Sequence, residues 1–169
     1  QEPMDAVFVR RFNDAGQVIG ERLFVGLFTS KSYTQNPGDI PFLRRKIDYV
    51  MRRTGFRAAG HDYKSLQHIL NTYPHDELFQ ISEADLYANA IGILQLQDRA
   101  RVALFTRRDP FGRSVSCLVY VPRDRYDSRL RQRMQKVIEA GFGGEVAAFY
   151  THVTDEALAR LHFIVATAP

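Results

Sequence analysis

The chain has 169 residues, 45% hydrophobic and 25% charged, which excludes a disordered chain and allows a buried core without staples. Net charge is +4 and the isoelectric point about 9.4. Acids and bases alternate with no basic block, so the charge describes a solvated surface better than a polyanion-binding face.

Residues 6–28 read as a β-hairpin. Ala6-Val7-Phe8-Val9-Arg10-Arg11-Phe12 is rich in β-formers, and Asn13-Asp14-Ala15-Gly16 supplies turn chemistry. Gly20 and Gly26 mark bulges or close-packing points on the return strand. Residues 29–38 form a polar loop ending in Asn36-Pro37-Gly38. A helix over 40–54 follows, with Asp39 as cap, Pro41 in its first turn, Leu43, Ile47, Val50 and Met51 on its apolar face, and Gly55 as its stop. Asp62 caps a second helix over 63–73, ended by Pro74. Ser82-Glu83-Ala84-Asp85 starts a third, through residue 96, burying Leu86, Ala90, Ile93 and Leu94.

The last 70 or so residues change character. Residues 102–107 and 114–121 are strands around a turn at Pro110 and Gly112. Ser128 caps a helix through residue 141, with Leu130, Met134, Val137 and Ile138 inward. Residues 145–153 and 161–167 are strands, joined by a short helix or turn that begins at residues 154–157. The order β-β-α-β-β packs naturally as a four-stranded antiparallel sheet with a helix on one face. The fold class is therefore α+β: a hairpin at 1–30, a helical segment at 31–99 and a two-layer module at 100–169.

Motifs for chemistry are sparse. Gly141-Phe142-Gly143-Gly144 follows a helix, whereas a dinucleotide loop follows a strand, so it reads as a helix C-cap. His61, His68 and His75 recur every seven residues, but Pro74 breaks the helix that would align them, and no Cys or carboxylate stands at ligand spacing. His152 and His162 lie in strands where either can face the other, without a nucleophile–base–orienter chain. Cys117, the single cysteine, permits no internal disulfide, suits a reducing compartment, and reads as a small buried apolar residue. No apolar run approaches the roughly 20 residues of a membrane span. Charged Arg10, Arg11, Asp14, Glu21 and Arg22 interrupt any leader-like stretch, and the opening on Gln1 suggests an excised segment. Arg107, Arg108, Asp109, Phe111 and Arg113 form the one notable cluster, a turn that suits domain docking or an anion, and equally a solvated tip with an Asp–Arg pair.

Four strings then carry a resemblance. Asp76-Glu77-Leu78-Phe79-Gln80-Ile81-Ser82, Gly92-Ile93-Leu94-Gln95-Leu96-Gln97, Arg107-Arg108-Asp109-Pro110-Phe111-Gly112-Arg113, and the run from Ser116-Cys117-Leu118 to Pro122-Arg123-Asp124-Arg125-Tyr126 resemble the large NAD-specific glutamate dehydrogenase family of bacteria. Phe28-Thr29-Ser30, Ile40-Pro41, Leu43-Arg44-Arg45-Lys46 and His162-Phe163-Ile164-Val165 are similar to it as well. The resemblance implies a cytoplasmic enzyme of amino-acid catabolism, with a Rossmann-type catalytic domain far toward the C-terminus of a long subunit. It implies that this chain is a segment of the N-terminal region, built from ACT-like and PAS-like modules that serve regulation and assembly. No catalytic, cofactor-binding or metal-binding residue of the family carries over to these positions; NAD belongs to the full-length enzyme. Expected partners are other domains and subunits of that oligomer, with an amino-acid effector as a further one, and neither nucleic acid nor membrane. ACT modules usually run β-α-β-β-α-β, and the order read here departs from that. The competing expectation is a stand-alone anion- or RNA-binding module using the arginine-rich hairpin.

Overall fold

Strand β1 (Asp5–Phe12) pairs antiparallel with β2 (Val18–Gly26). In this computed structural model, which describes residues 5–26, 29 and 34–167, the predicted turn chemistry is in place. The Asn13 side-chain oxygen accepts from the amides of Ala15 and Gln17, and Gly16 takes φ +75°, a left-handed conformation that favours glycine. The register slips between Arg11 and Phe12, opposite Gly20, so one predicted bulge is present; Gly26 simply ends β2. The predicted strand end at Leu27 and Phe28, and residues 30–33 of the polar loop, lie outside the described residues.

Between residues 41 and 98 four α-helices are present where the sequence predicts three. They are α1 (Pro41–Thr54), α2 (His61–Thr72), α3 (His75–Gln80) and α4 (Glu83–Asp98). Helix α3 is the addition: Pro74, predicted only as a stop, also serves as the N-cap of this six-residue helix. Two predicted caps fail. Asp39 sits in a 3-10 turn and Ile40 takes the cap position of α1 without a side-chain bond. Asp62 lies inside the first turn of α2, and Gly60 precedes it. Ser82 does cap α4, accepting from the amide of Asp85. Leu43, Val50, Leu66, Leu70, Leu78 and Leu86 are fully buried together.

The C-terminal part holds β3 (Ala103–Arg108), β4 (Ser114–Pro122), α5 (Ser128–Phe142), β5 (Gly144–His152) and β6 (Leu158–Thr167), in the predicted order. The sheet runs β3-β4-β6-β5, antiparallel throughout. Asp127, not Ser128, caps α5, because its carboxylate reaches the Leu130 amide at 2.6 Å. Ile138 is buried and Met134 partly so against the sheet, but Val137 is 72% exposed; one residue from Ile138 means a rotation of about 100° to the outer side. Gly143 takes φ +65° and its amide bonds the Glu139 carbonyl, the C-cap expected of the glycine cluster. Residues 154–157 are a bend, with no helix.

The predicted two-layer module, a four-stranded antiparallel sheet with a helix on one face, is present, and the helical segment packs on the sheet's other face. Val115, Cys117, Val119 and Val121 face α5, together with Leu161 and Phe163 of β6. Leu118 and Tyr120 belong to the helical core, with Phe105 packed against it. Strand β4 is apolar at both parities, the pattern of a strand buried on two sides. Helix α4 comes so close to β3 that a Cβ on Gly92 would stand 2.6 Å from the Phe105 ring. Gly92→Val should therefore overpack this contact and destabilise by about 1–3 kcal/mol. A thermal melt should fall by about 2–4 °C per kcal/mol for a chain of this size.

Candidate functional site

The strongest concentration of charge lies at the seam between helices and sheet. Helix α3 places Glu77 there, only 2% exposed. Arg107 on β3 meets it as a fork, Nε to one carboxylate oxygen and Nη2 to the other, both 2.8 Å. The same Nη2 also donates to the Gln80 side chain. On the far side His162 brings Nε2 within 3.7 Å of the Glu77 carboxylate, and the Ser116 hydroxyl lies 2.8 Å from that same nitrogen. Burial works to raise the Glu77 pKa, but the hydrogen bonds from Arg107 and the nearby His162 ring outweigh it and hold the carboxyl at about 2. The buried polar side-chain atoms of the described residues all have partners.

A second charge completes the seam. Lys46 on α1 is 6% exposed, and its ammonium donates to the carbonyls of Leu78, Phe79 and Ile81 at 2.7, 3.1 and 2.7 Å. These are carbonyls from the last turn of α3 and just beyond it, otherwise short of donors. The Phe42 ring lies 4.8 Å away. Burial lowers the Lys46 pKa to about 8, against the pull of Glu83, which leaves it charged at neutral pH.

Ser116, His162 and Glu77 carry the residue types of a hydrolytic triad, yet the geometry does not relay a proton. Both serine and carboxylate address the same ring nitrogen, Nε2, whereas a relay needs one partner on each nitrogen. Ser116 and His162 are also 4% and 5% exposed, which leaves no room for a substrate. The cluster is structural.

The predicted turn cluster divides. Arg107 is turned inward onto Glu77 and is not part of the exposed tip, since its guanidinium finds a buried carboxylate on that side. At the tip, Asp109 accepts from the amides of Phe111 and Arg113 and from the Arg113 side chain; the Arg113 hydrogen bond is the largest influence lowering its pKa. Phe111 is 76% exposed with the Arg113 guanidinium 4.9 Å from its ring, and Arg108 is exposed.

The three histidines spaced seven apart do not converge. His68 pairs with Glu156, His75 contacts the Gln35 carbonyl and His61 lies beside Asp62. No group of three metal-ligating side chains gathers among the described residues. His152 and His162 are not cross-strand neighbours: the register pairs them with Arg160 and Tyr150. Cys117 is buried, and burial pushes its thiol up to about 11, as fits a small core residue. No helix of the described residues is long and apolar enough to cross a membrane.

Lys46 was legible in principle, since it stands three residues after Leu43 and four before Val50, on the buried stripe of α1. Glu77 was not, because a six-residue helix offers too few turns for a period.

Fold and seam define a helical motif packed on an ACT-like α+β sheet. Residues 40–99 match the family described as glutamate dehydrogenase, helical motif 1, and residues 103–169 match that described as glutamate dehydrogenase, ACT2 domain. The chain belongs to the NAD-specific glutamate dehydrogenase family. It is 44% identical over 161 residues to the NAD-specific glutamate dehydrogenase of Halomonas elongata, covering 95% of this chain and 10% of the relative. Corresponding figures are 39% over 165 residues, 98% and 10% for the Pseudomonas aeruginosa protein of that name. For that of Mycobacterium tuberculosis they are 32% over 160 residues, 95% and 10%. The chain thus spans about a tenth of the length of these curated relatives.

Glu77→Gln should remove the charge that Arg107 is buried against and destabilise by about 3–5 kcal/mol at neutral pH. Because the folded pKa lies below the ordinary 4.5, the carboxylate's contribution is present above pH 4.5 and lost as pH falls toward 2. Denaturant titrations of both proteins should show their difference shrinking over that window.

Proposed function

We propose that the chain is a regulatory and architectural segment of an NAD-specific glutamate dehydrogenase and carries none of its chemistry. The full-length enzyme would oxidatively deaminate L-glutamate to 2-oxoglutarate and ammonia, with NAD held by a catalytic domain elsewhere in a cytoplasmic bacterial oligomer. The observation that carries this reading is the match of two successive glutamate dehydrogenase modules, a helical motif and an ACT2 domain, to residues that share one core.

The hairpin supports it. Phe8, Phe12, Leu23 and Val25 lie on one face, Val7, Val9 and Phe24 on the other, and all are roughly half exposed. A two-stranded ribbon with two apolar faces is marginal on its own and calls for neighbouring protein on both sides. We assign residues 1–30 to the end of a preceding PAS-like module, 31–99 to the helical motif and 100–169 to the ACT-like module, whose effector would be an amino acid. The tip at Arg108 and Phe111 is the docking contact toward another domain or subunit. The alternative of a stand-alone anion- or RNA-binding module is weaker, because Arg107 is neutralised inside the fold and Arg113 by Asp109.

Two experiments test this. The 169-residue chain should produce no NADH from glutamate and NAD; turnover above a buffer blank would contradict the non-catalytic assignment. In the full-length enzyme, Arg108→Ala with Phe111→Ala should weaken assembly or shift regulation, read by sedimentation and steady-state kinetics, while this chain carrying the same changes melts as before. Wild-type oligomer size and kinetics would rule out docking at the tip.

A further inference from the structure

A half-open cleft of about 440 Å³ lies between α2, α4 and one end of the sheet, floored in part by Ile69 and Ile93. The register builds its polar wall: Arg160 on β6 pairs with Tyr120 on β4 and with His152 on β5, so the three side chains stand in a row. His68 and Thr72 enter from α2, and Glu156 from the β5–β6 connection.

Arg160 is the unusual member. It is half-buried, donates to the Thr72 carbonyl and stands across the strand pair from Tyr120, both neutral groups. Arg107, Arg113 and Arg123 each meet a carboxylate; among the described residues Arg160 forms no such pair. The one acid in the cleft, Glu156, lies 2.7 Å from His68 instead. His152 feels the same excess of positive charge: burial first, and then Arg160, lower its pKa. A half-buried guanidinium beside two histidines, with its only acid engaged elsewhere, sets up a field that favours an anion. The guanidinium has five donors in a planar fork, so its bond to Thr72 leaves N–H groups for a carboxylate. The volume falls within the usual range for small-molecule sites.

We propose that this cleft binds a small carboxylate anion, its carboxylate on Arg160 and His152 and its carbon skeleton over Ile69 and Ile93. Glu156, half exposed on a bend, is the cleft's own carboxylate; a ligand with a second carboxylate competes with it for His68. The site lies between the helical segment and the sheet. Its existence does not depend on the dehydrogenase reading, because binding is measured on this chain alone and succinate takes no part in glutamate oxidation.

Succinate titrated into the chain, followed by calorimetry and by the ring signals of His68 and His152 in NMR, should bind saturably and shift both histidines. Arg160→Gln should weaken it about tenfold or more, the worth of a charge-assisted pair. Because Arg160 also holds the Thr72 carbonyl, two exposed positions serve as variants that leave the packing intact. His152→Ala should weaken binding and Glu156→Gln should tighten it, each by about threefold. Absence of saturation, or affinities unchanged in both His152→Ala and Glu156→Gln, would overturn the proposal. Equal affinity for inorganic phosphate would overturn the carboxylate class and leave a general oxyanion site.

Discussion

The Glu77–Arg107 pair is the constraint around which the rest is arranged. A carboxylate 2% exposed is costly unless its charge is matched and its oxygens are bonded. The match comes from across the seam: Glu77 belongs to the helical segment, Arg107 to the first strand of the sheet. Each is tolerable only while the other is in place. The apolar surfaces of Leu118, Tyr120 and Phe105 supply the bulk of the attraction between the layers. The ion pair adds register, because a fork of two 2.8 Å bonds is satisfied at one relative position of α3 and β3.

Helix α3 is suspended between two such contacts. Lys46 collects three carbonyls from its C-terminal end and beyond, and Arg107 takes its acidic side chain. Six residues are too few to hold a helix by propensity, so its shape is imposed from α1 and β3. This explains why the helix escaped the sequence reading. Long amphipathic helices declare themselves through Leu43, Ile47 and Val50 or through Leu86, Ala90 and Ile93, and β-β-α-β-β follows from turn residues and apolar parity. Helix α3 has no period to read, and its signal lies in residues distant in sequence.

The misreadings share a physical origin. Asp39, Asp62 and Ser128 are all good capping types, but the cap is decided by where the backbone turns, one or two residues away. Val137 sits beside a buried residue on a helix whose inward stripe is narrow. Arg107 was grouped with its tip neighbours by sequence, while strand alternation turned it to the opposite side from Arg108. The cleft at Arg160 was not visible in the sequence at all, because it depends on the pairing of β6 with both β4 and β5. A family resemblance carried by strings such as Asp76-Glu77-Leu78-Phe79-Gln80 marked the seam without revealing what the glutamate does.

Strand β4 is buried on both faces, with Cys117 and Val119 in one core and Leu118 and Tyr120 in the other. Two modules recognisable as separate stretches of chain therefore have a strand in common at their centre. Severing them near residue 100 would take Leu118, Tyr120 and Phe105 away from the helical core and bare one face of the sheet, while the core under α5 would keep all its residues. The boundary between the two matched stretches is therefore not a boundary between two closed cores, because the core of the first continues into the second.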